Sequence, residues 1–201
     1  MSVRLESILE AVKKAREGAK KRNFIQSFEL IVNLKDLDLK NPSNRISGEI
    51  TLPNGFKKKN KIAVFAEGDL AVQAKNLGVD TYSRSDIESL GGDKKRAKEF
   101  AKKYDILLAS IDMIPLIGKH LGQILGPRNM MPVPVPPTAN LAPIVEKYMN
   151  SCRFRVRNAP QVRVRVGDEE MTDEEVADNV QTAINYIINK LPRGIRNIKS
   201  I

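Results

Sequence analysis

Arginine at every second position marks two short stretches near the C-terminus. The residues are Arg153, Arg155, Arg157, Arg163 and Arg165. Alternating residues of a β-strand share one face, so we expect a strand pair with arginines on one face and apolar residues on the other. Like charges on one face repel each other unless they are solvated or meet an anion. The pattern is typical of a solvated sheet or of a phosphate-binding surface for nucleic acid, and we favour the second.

Residues suited to nucleophilic or metal chemistry are scarce. The chain has one histidine, His120, and one cysteine, Cys152, which excludes a disulfide framework and a Cys/His zinc site. A nucleophile needs a neighbouring base, and His120 lies in a glycine-rich stretch where packing is the favoured role. Asp69, Asp105 and Asp112 lie near ends of predicted strands, but no glycine fingerprint accompanies them. The sequence predicts no catalytic residue, metal or cofactor.

Glycine and proline dominate residues 115–137. Gly118, Gly122 and Gly126 are four residues apart, which puts them on one helix face where another backbone can come close. Gly126-Pro127 is predicted to end that helix. Five prolines in the eleven residues 127–137 then predict a stiff segment that cannot be a central strand. A phosphate loop is disfavoured because histidine, not serine or threonine, follows Gly118 and its lysine.

The elements around these residues follow two patterns. Both chain ends combine amphipathic helices with alternating strands: a helix over 2–21, strands over 27–34 and 46–50, and a last helix capped by Thr172 and Glu175. In the middle, buried runs at 62–66 and 106–110 alternate with helices at 70–77, 86–90 and 94–103, with a strand at 79–82 and a helix at 141–149. Ser85 is predicted to cap the 86–90 helix, and Gly91-Gly92 to break the chain after it. This alternation predicts a parallel sheet.

An α/β middle between α+β ends predicts one domain inserted into another. We expect a discontinuous α+β domain of residues 1–60 and 152–201, and an α/β domain of residues 61–151, with the basic linker Lys57–Lys61 at the first boundary. The ends carry 22 Lys+Arg against 14 Asp+Glu, and the middle carries 12 against 10. A nucleic acid is therefore expected on the split domain.

Composition limits the class of partner. The 201 residues carry a net charge of +10, which favours nucleic acid first and a membrane surface second. Because no apolar signal core and no run of 18 apolar residues occurs, we expect a soluble cytoplasmic protein and no membrane partner. Tryptophan is absent, which favours structured RNA over stacked single strands. The basic run at 20–23 fits a solvated helix end and a phosphate contact equally well.

The glycine-proline segment also carries a resemblance. Residues 125–128, Leu-Gly-Pro-Arg, followed by Met131-Pro132, resemble the signature of the L-one family of large-subunit ribosomal proteins. Residues 22–29, 52–55, 171–173 and 178–179 resemble the same family in its archaeal form. The resemblance implies an α+β split RNA-binding domain with an inserted Rossmann-like, parallel-sheet α/β domain.

The resemblance also implies a function without enzymatic activity. It implies binding to a helical junction of large-subunit ribosomal RNA, in the stalk beside the tRNA exit site, and repression of the translation of its own messenger RNA. Implied partners are large-subunit ribosomal RNA, the protein's own mRNA leader and exit-site tRNA, with a free monomer and a cytoplasmic, ribosomal location. The alternative is an α/β enzyme or small-ligand-binding module that uses residues 61–151.

Family contacts with RNA, carried over to this sequence, fall on the split domain. Phe24 can pack on a ribose or base, Ser27 can meet phosphate or a 2′-hydroxyl, and Glu29 can only accept, from a base amino group or a 2′-hydroxyl. Glu29 as a surface partner of Lys or Arg is the other interpretation. The predicted RNA-binding residues are Lys20, Arg22, Asn23, Phe24, Ser27, Glu29, Arg163, Arg165, Val166 and Gly167. The signature-loop residues are Gly126, Pro127, Arg128, Met131 and Pro132.

The sequence departs from the family pattern at three places. Asn129 stands where the family usually has glycine, and Val133 replaces a common lysine. The family continues beyond the equivalent of Ile201 with a strand whose Thr-Met-Gly touches RNA. Either this chain was cut short or its RNA site lacks those residues, and the sequence leaves both open.

Overall fold

The computed structural model describes residues 4–41, 44–156 and 159–201. They form a mixed α/β structure with one parallel sheet, as predicted. In chain order the helices and strands are α1 (Leu5–Glu17), β1 (Ser27–Leu34), β2 (Ser47–Thr51), β3 (Ile62–Phe65), α2 (Asp69–Asn76), β4 (Asp80–Tyr82), α3 (Arg84–Gly92), α4 (Lys94–Lys103), β5 (Ile106–Ser110), α5 (Ile114–Leu125), β6 (Val133–Val135), α6 (Leu141–Met149), β7 (Ser151–Arg155), β8 (Gln161–Asp168), α7 (Asp173–Lys190) and β9 (Ile198–Ser200). The chain divides into two compact units, Met1–Lys59 with Asn150–Ile201, and Asn60–Met149.

The first unit packs α1 and α7 against antiparallel strands. Its sheets have the orders β8-β1-β9 and β2-β7. The alternating apolar residues of β1 reach the core, with Leu30, Val32 and Leu34 buried. The predicted capping box of α7 is present: Thr172 and Glu175 satisfy each other's backbone N–H groups. Helix α1 ends at Glu17, earlier than the predicted 21, and the part of that prediction before residue 4 lies outside the described residues.

The predicted pairing of the two arginine strands is wrong. β7 pairs with β2, and β8 pairs with β1, so the strands belong to different sheets. Local alternation shows which side chains point inward, but it contains no information about the partner strand. The arginines of β7 and those of β8 therefore do not share one sheet face.

The second unit is a four-stranded parallel sheet with the order β4-β3-β5-β6. β3 and β5 are buried along their whole length, as their continuous apolar runs predict. β6 was not predicted as a strand because it contains Pro134. That proline is tolerated because β6 lies at the edge of the sheet, where a missing N–H breaks no ladder.

Two local predictions about α3 need correction. Ser83, not Ser85, caps α3 through a capping box with Asp86. Helix α3 also continues through Gly91 to end at Gly92, and Asp93 then caps α4.

No other backbone packs closely against the glycines of α5, although their spacing predicts it. A Cβ added at Gly118 or Gly122 would meet no neighbouring atom within 4 Å. The close approach is at Gly91, where an added Cβ would lie 2.6 Å from the Cβ of His120. His120 is therefore a packing residue of α5, as predicted.

Candidate nucleic-acid interface

A basic segment with an exposed aromatic ring connects α1 to β1. Lys20, Arg22 and Asn23 are exposed, and the guanidinium carbon of Arg22 lies 5.9 Å from the centroid of the Phe24 ring. Phe24 is 62% exposed, which makes it one of the most exposed large apolar side chains in the described chain. Gln26 stabilises the conformation of the segment, because its Nε2 donates to the carbonyl of Lys20 at 3.0 Å. The structure thus brings these predicted residues together on the surface.

A groove of about 490 Å³ opens beside this segment, between α1, β1 and the loop after β8. Ser27 and Glu29 of β1 lie in it, and both are exposed. Neither side chain makes a hydrogen bond within the described chain, so their polar groups face solvent. The other lining residues are Ala15, Arg16, Ala19, Lys21, Gln26, Phe28 and Glu169. The groove can offer hydroxyl, carboxylate and ammonium groups to one ligand.

Arg165 has internal partners, unlike Ser27 and Glu29. Its NH2 donates to the carbonyl of Lys58 at 3.0 Å and to Oδ2 of Asp168 at 3.3 Å, and its guanidinium lies 4.1 Å from the ring centroid of Phe56. Asp168 is fully buried, and its Oδ2 also accepts the backbone N–H groups of Lys57 and Lys58. Arg165 therefore anchors the loop at residues 56–58. Sequence reasoning missed Asp168, because the loop that it holds is over a hundred residues away.

Val166 and Gly167 present no side-chain group to a ligand. Val166 is buried and its carbonyl accepts from Asn179 Nδ2 at 2.8 Å. A Cβ at Gly167 would lie 2.8 Å from a methyl of Val176, so the strand passes directly over α7. Asn179 also exchanges hydrogen bonds with the backbone of Asn54 at 2.8 and 3.0 Å. These residues hold the surface in place.

The remaining arginines of the predicted face differ in environment. Arg163 is exposed, and its Nε donates to Gln161 Oε1 at 2.7 Å. Arg153 pairs with Glu49 on β2 at 3.3 Å, and Arg155 is exposed on β7. Arg157 lies outside the described residues. Of the two arginines predicted to bind RNA, Arg163 has the exposed guanidinium.

The signature loop belongs to the second unit. Asn129 adopts the left-handed conformation with φ 58°, which glycine reaches without strain and asparagine tolerates better than most residues. Gly126, which caps α5, keeps a right-handed φ of −58°, so the positive φ lies three residues after the cap, at Asn129. Arg128 is exposed, and its NH1 donates to the carbonyl of Lys98 on α4 at 3.3 Å. The substitution of asparagine for the usual glycine is therefore compatible with the turn.

No catalytic or metal-binding arrangement is found within the described residues. The three aspartates near strand ends are separated, since Asp105 lies before β5, at the amino end, where its Oδ2 accepts the backbone N–H of Lys61 at 2.9 Å. No group of three or more His, Cys, Asp or Glu side chains that could hold a metal ion occurs in residues 4–41, 44–156 and 159–201. In the same part of the chain, no helix is long and apolar enough to cross a membrane.

Shifted pKa values belong to packed or hydrogen-bonded groups of the fold. A hydrogen bond from the Tyr104 hydroxyl, with a second from Lys103, lowers the pKa of Asp80. Burial raises the pKa of Tyr104, and the hydrogen bonds of its hydroxyl with Asp80 and Tyr82 raise it further. Burial also raises the pKa of the Cys152 thiol to about 12, which keeps it protonated and unreactive. These groups stabilise their units and offer no nucleophile.

Fold and surface together define a basic α/β protein of two units, in which an exposed basic segment lies beside a groove and the described residues form no catalytic arrangement. The chain belongs to the ribosomal protein L1p/L10e family, whose model matches residues 12–201. It is 48% identical to the large ribosomal subunit protein uL1 of Methanothermococcus thermolithotrophicus, covering 97% of this chain and 92% of the relative. It is 50% identical to the protein of the same name in Pyrococcus abyssi, with 98% and 90% covered, and 46% identical to that of Methanocaldococcus jannaschii, with 96% and 89% covered. The resemblance to the archaeal form of the family is confirmed.

Proposed function

We propose that the chain is a structural protein of the large ribosomal subunit that binds large-subunit ribosomal RNA through its first unit. The curated relatives are named ribosomal proteins, a structural family without enzymatic activity, so the protein is not an enzyme and its place is the ribosome in the cytoplasm. In this proposal the first unit is the split RNA-binding domain, and the second is the inserted Rossmann-like domain. The residues predicted to bind RNA all belong to the first unit.

The observation that carries the proposal is the exposed ring of Phe24 in a basic segment beside the groove of Ser27 and Glu29. Packing of a large exposed apolar ring on a base or ribose is favourable, because it removes apolar surface from water. Nearby lysine and arginine side chains supply phosphate contacts, which position RNA without reading its sequence. Ser27 and Glu29 supply hydrogen bonds to 2′-hydroxyl and base amino groups. The first unit, with 22 Lys+Arg against 14 Asp+Glu, also has the charge for a polyanion.

The same surface supports a regulatory role. An RNA fold in the protein's own mRNA leader that is similar to the ribosomal site would bind the same groups, and would be released when ribosomal RNA is in excess. We include repression of that mRNA, contact with exit-site tRNA in the mobile stalk, and a monomeric free state in the proposal. A competition titration between the two RNAs tests the shared surface, and simultaneous binding of both would contradict it.

Phe24→Ala tests the proposal directly. Filter binding of a large-subunit ribosomal RNA fragment should weaken by about tenfold or more, since base stacking contributes about 1–3 kcal/mol. The matched control is Val72→Ala, which removes a 57% exposed apolar side chain from the second unit. Equal affinities for the two variants would contradict the proposed site.

Glu29→Ala gives a second result whose sign is informative. A carboxylate near RNA repels phosphate unless it accepts a hydrogen bond, so a bystander Glu29 predicts tighter binding after substitution. The proposal predicts instead a loss of roughly 1–3 kcal/mol on the cognate RNA, with an unchanged salt dependence. Tighter cognate binding would remove Glu29 from the site and leave it as a surface acid.

A further inference from the structure

The positive charge of the second unit is concentrated on α4. This helix carries six Lys and Arg against one Glu, while the rest of residues 60–149 carries six against nine. The unit is therefore close to neutral as a whole but strongly polarised. A local field of this kind attracts anions to one face even where the net charge is small.

Packing fixes which side of α4 faces water. Ala97, Phe100 and Ala101 are buried, and Lys94, Lys98 and Lys102 are exposed on another face. These three lysines, which we call the lysine row, are spaced four residues apart. The helical rise of about 1.5 Å per residue therefore sets them about 6 Å apart along the axis.

The lysine row has no anionic partner in the described chain. Among the other cations of α4, Lys103 has such a partner, Asp80 at 2.9 Å, and Arg96 donates to the neutral Ser89 Oγ at 3.3 Å. Like charges four residues apart on a helix repel each other and weaken it. An anion from another molecule is the partner that would offset this repulsion.

The signature loop adds a cation to the same place. Arg128 donates from NH1 to the carbonyl of Lys98, the middle residue of the row, while its side chain stays exposed. The loop is held there by its own turn, in which the N–H of Met130 donates to the carbonyl of Leu125 at 3.0 Å. The family signature and α4 thus form one continuous basic surface.

We propose that the lysine row and Arg128 form a second RNA-contact surface, on the second unit, that binds phosphate groups of structured RNA. The inference rests on the proposed RNA-binding function and adds a surface to it. Ammonium groups suit phosphate as point charges, and the row includes no aromatic residue for stacking. A protein partner fits less well, because protein interfaces are depleted in lysine and have an apolar centre. The contact follows backbone shape and charge without reading sequence.

The test replaces Lys94, Lys98 and Lys102 with glutamine in the full chain. Glutamine has a helix propensity close to that of lysine, so α4 is kept. The probe is an RNA duplex of about 20 base pairs, titrated at several salt concentrations between about 50 and 200 mM. The row variant should bind more weakly, and its logarithmic salt slope should fall by about 2, at roughly 0.7–0.9 per lost phosphate contact.

The matched control changes Lys61, Lys75 and Lys119 to glutamine. It removes the same charge from exposed positions of the same unit, none of which lies on α4. Its salt slope should fall by clearly less than that of the row variant. Equal falls would overturn the proposal, because net charge alone would then account for binding. Arg128→Gln, with the row intact, should lower the slope by about one, and no change would exclude the loop.

Two further measurements distinguish a failure of this inference from a failure of the proposed function. The first uses poly-glutamate as the probe. If poly-glutamate binds as tightly as the duplex, and the row variant loses that binding, the surface is assigned to acidic protein segments and the RNA contact is overturned. The second uses the ribosomal RNA fragment. If Phe24→Ala weakens binding of that fragment, but the row and control variants have equal salt slopes, only the proposed second surface fails. If Phe24→Ala has no effect on that fragment, the proposed function fails on its own terms.

Discussion

Arg16→Ala tests how the first unit holds α1 beside the candidate interface. Arg16 lies near the end of α1, and its guanidinium reaches across to the loop after β8. Nε donates to Asp173 Oδ1 at 2.8 Å, NH1 to the carbonyl of Glu169 at 2.8 Å, and NH2 to the carbonyl of Met171 at 2.7 Å. The guanidinium also lies 5.1 Å from the ring centroid of Phe28. One side chain therefore joins a helix, a loop and a strand.

The expected cost follows from these contacts. Each carbonyl hydrogen bond contributes about 1 kcal/mol net. The ion pair contributes about 0.5 kcal/mol, since the side chains of Arg16 and Asp173 are 33% and 21% exposed and solvent screens it. The cation–π contact with Phe28 adds about 0.5 kcal/mol. Arg16→Ala should therefore lower the free energy of unfolding by about 3 kcal/mol.

Urea unfolding followed by far-ultraviolet circular dichroism measures this cost. Asp173→Ala is the matched control, because it removes the ion pair and a favourable helix-N-terminal charge but leaves both carbonyl bonds, for about 1 kcal/mol. Arg16→Lys should fall between the two, since an ammonium cannot reproduce the planar fork. If Arg16→Ala costs no more than Asp173→Ala, the carbonyl bonds contribute nothing and the reasoning is refuted.

Three other perturbations have defined outcomes. Gly48→Ala should cost about 1–3 kcal/mol in urea unfolding, because a Cβ would lie 2.7 Å from Tyr186 Cε1 and 2.8 Å from Phe154 Cε1; an unchanged midpoint would contradict that clash. Asp168→Asn should cost about 2 kcal/mol by the same assay, because its Oδ2 accepts two backbone N–H groups and a guanidinium in a buried place. Burial raises the pKa of the Cys152 thiol to about 12, so its contribution to stability is full below the unfolded pKa of about 8.5 and is lost as the pH rises toward 12. Above about pH 9 the free energy of unfolding should fall more steeply for the wild type than for Cys152→Ala, by up to about 1.4 kcal/mol per pH unit, and parallel curves would contradict it.

The sequence predicted best those helices and strands whose pattern lies entirely within their own segment. The bounds of α4, β5 and α6 agree with the structure to the residue. Each is set by a charged amphipathic run, an uninterrupted apolar run or a clear entry residue within its own segment. The cap of α3 shows the limit of this approach. Ser83 and Ser85 each have an acid three residues later, Asp86 and Glu88, and in the structure only Ser83 with Asp86 forms a capping box.

Strand partners could not be predicted in the same way. Two strands separated by a short turn usually pair, which favoured a β7–β8 hairpin. In the first unit each of these strands instead pairs with a strand that lies a hundred or more residues away in the sequence. The same distance hides the contact of Arg165 with the carbonyl of Lys58. A sequence window shows an arginine on a strand, and only the fold shows whether its guanidinium is already occupied.

That distinction separates binding residues from supporting residues in the candidate interface. The Arg165 side chain is only 23% exposed, and its guanidinium cannot move to a phosphate without leaving the buried carboxylate of Asp168 uncompensated. Arg165→Ala would therefore lower stability and affinity together, and would say little about RNA. Arg163 is exposed and bonded to one neutral amide, so its replacement can change phosphate binding while the fold is kept. Uniformly weaker binding of all RNAs by Arg163→Gln, at unchanged stability, would identify it as the phosphate contact of β8.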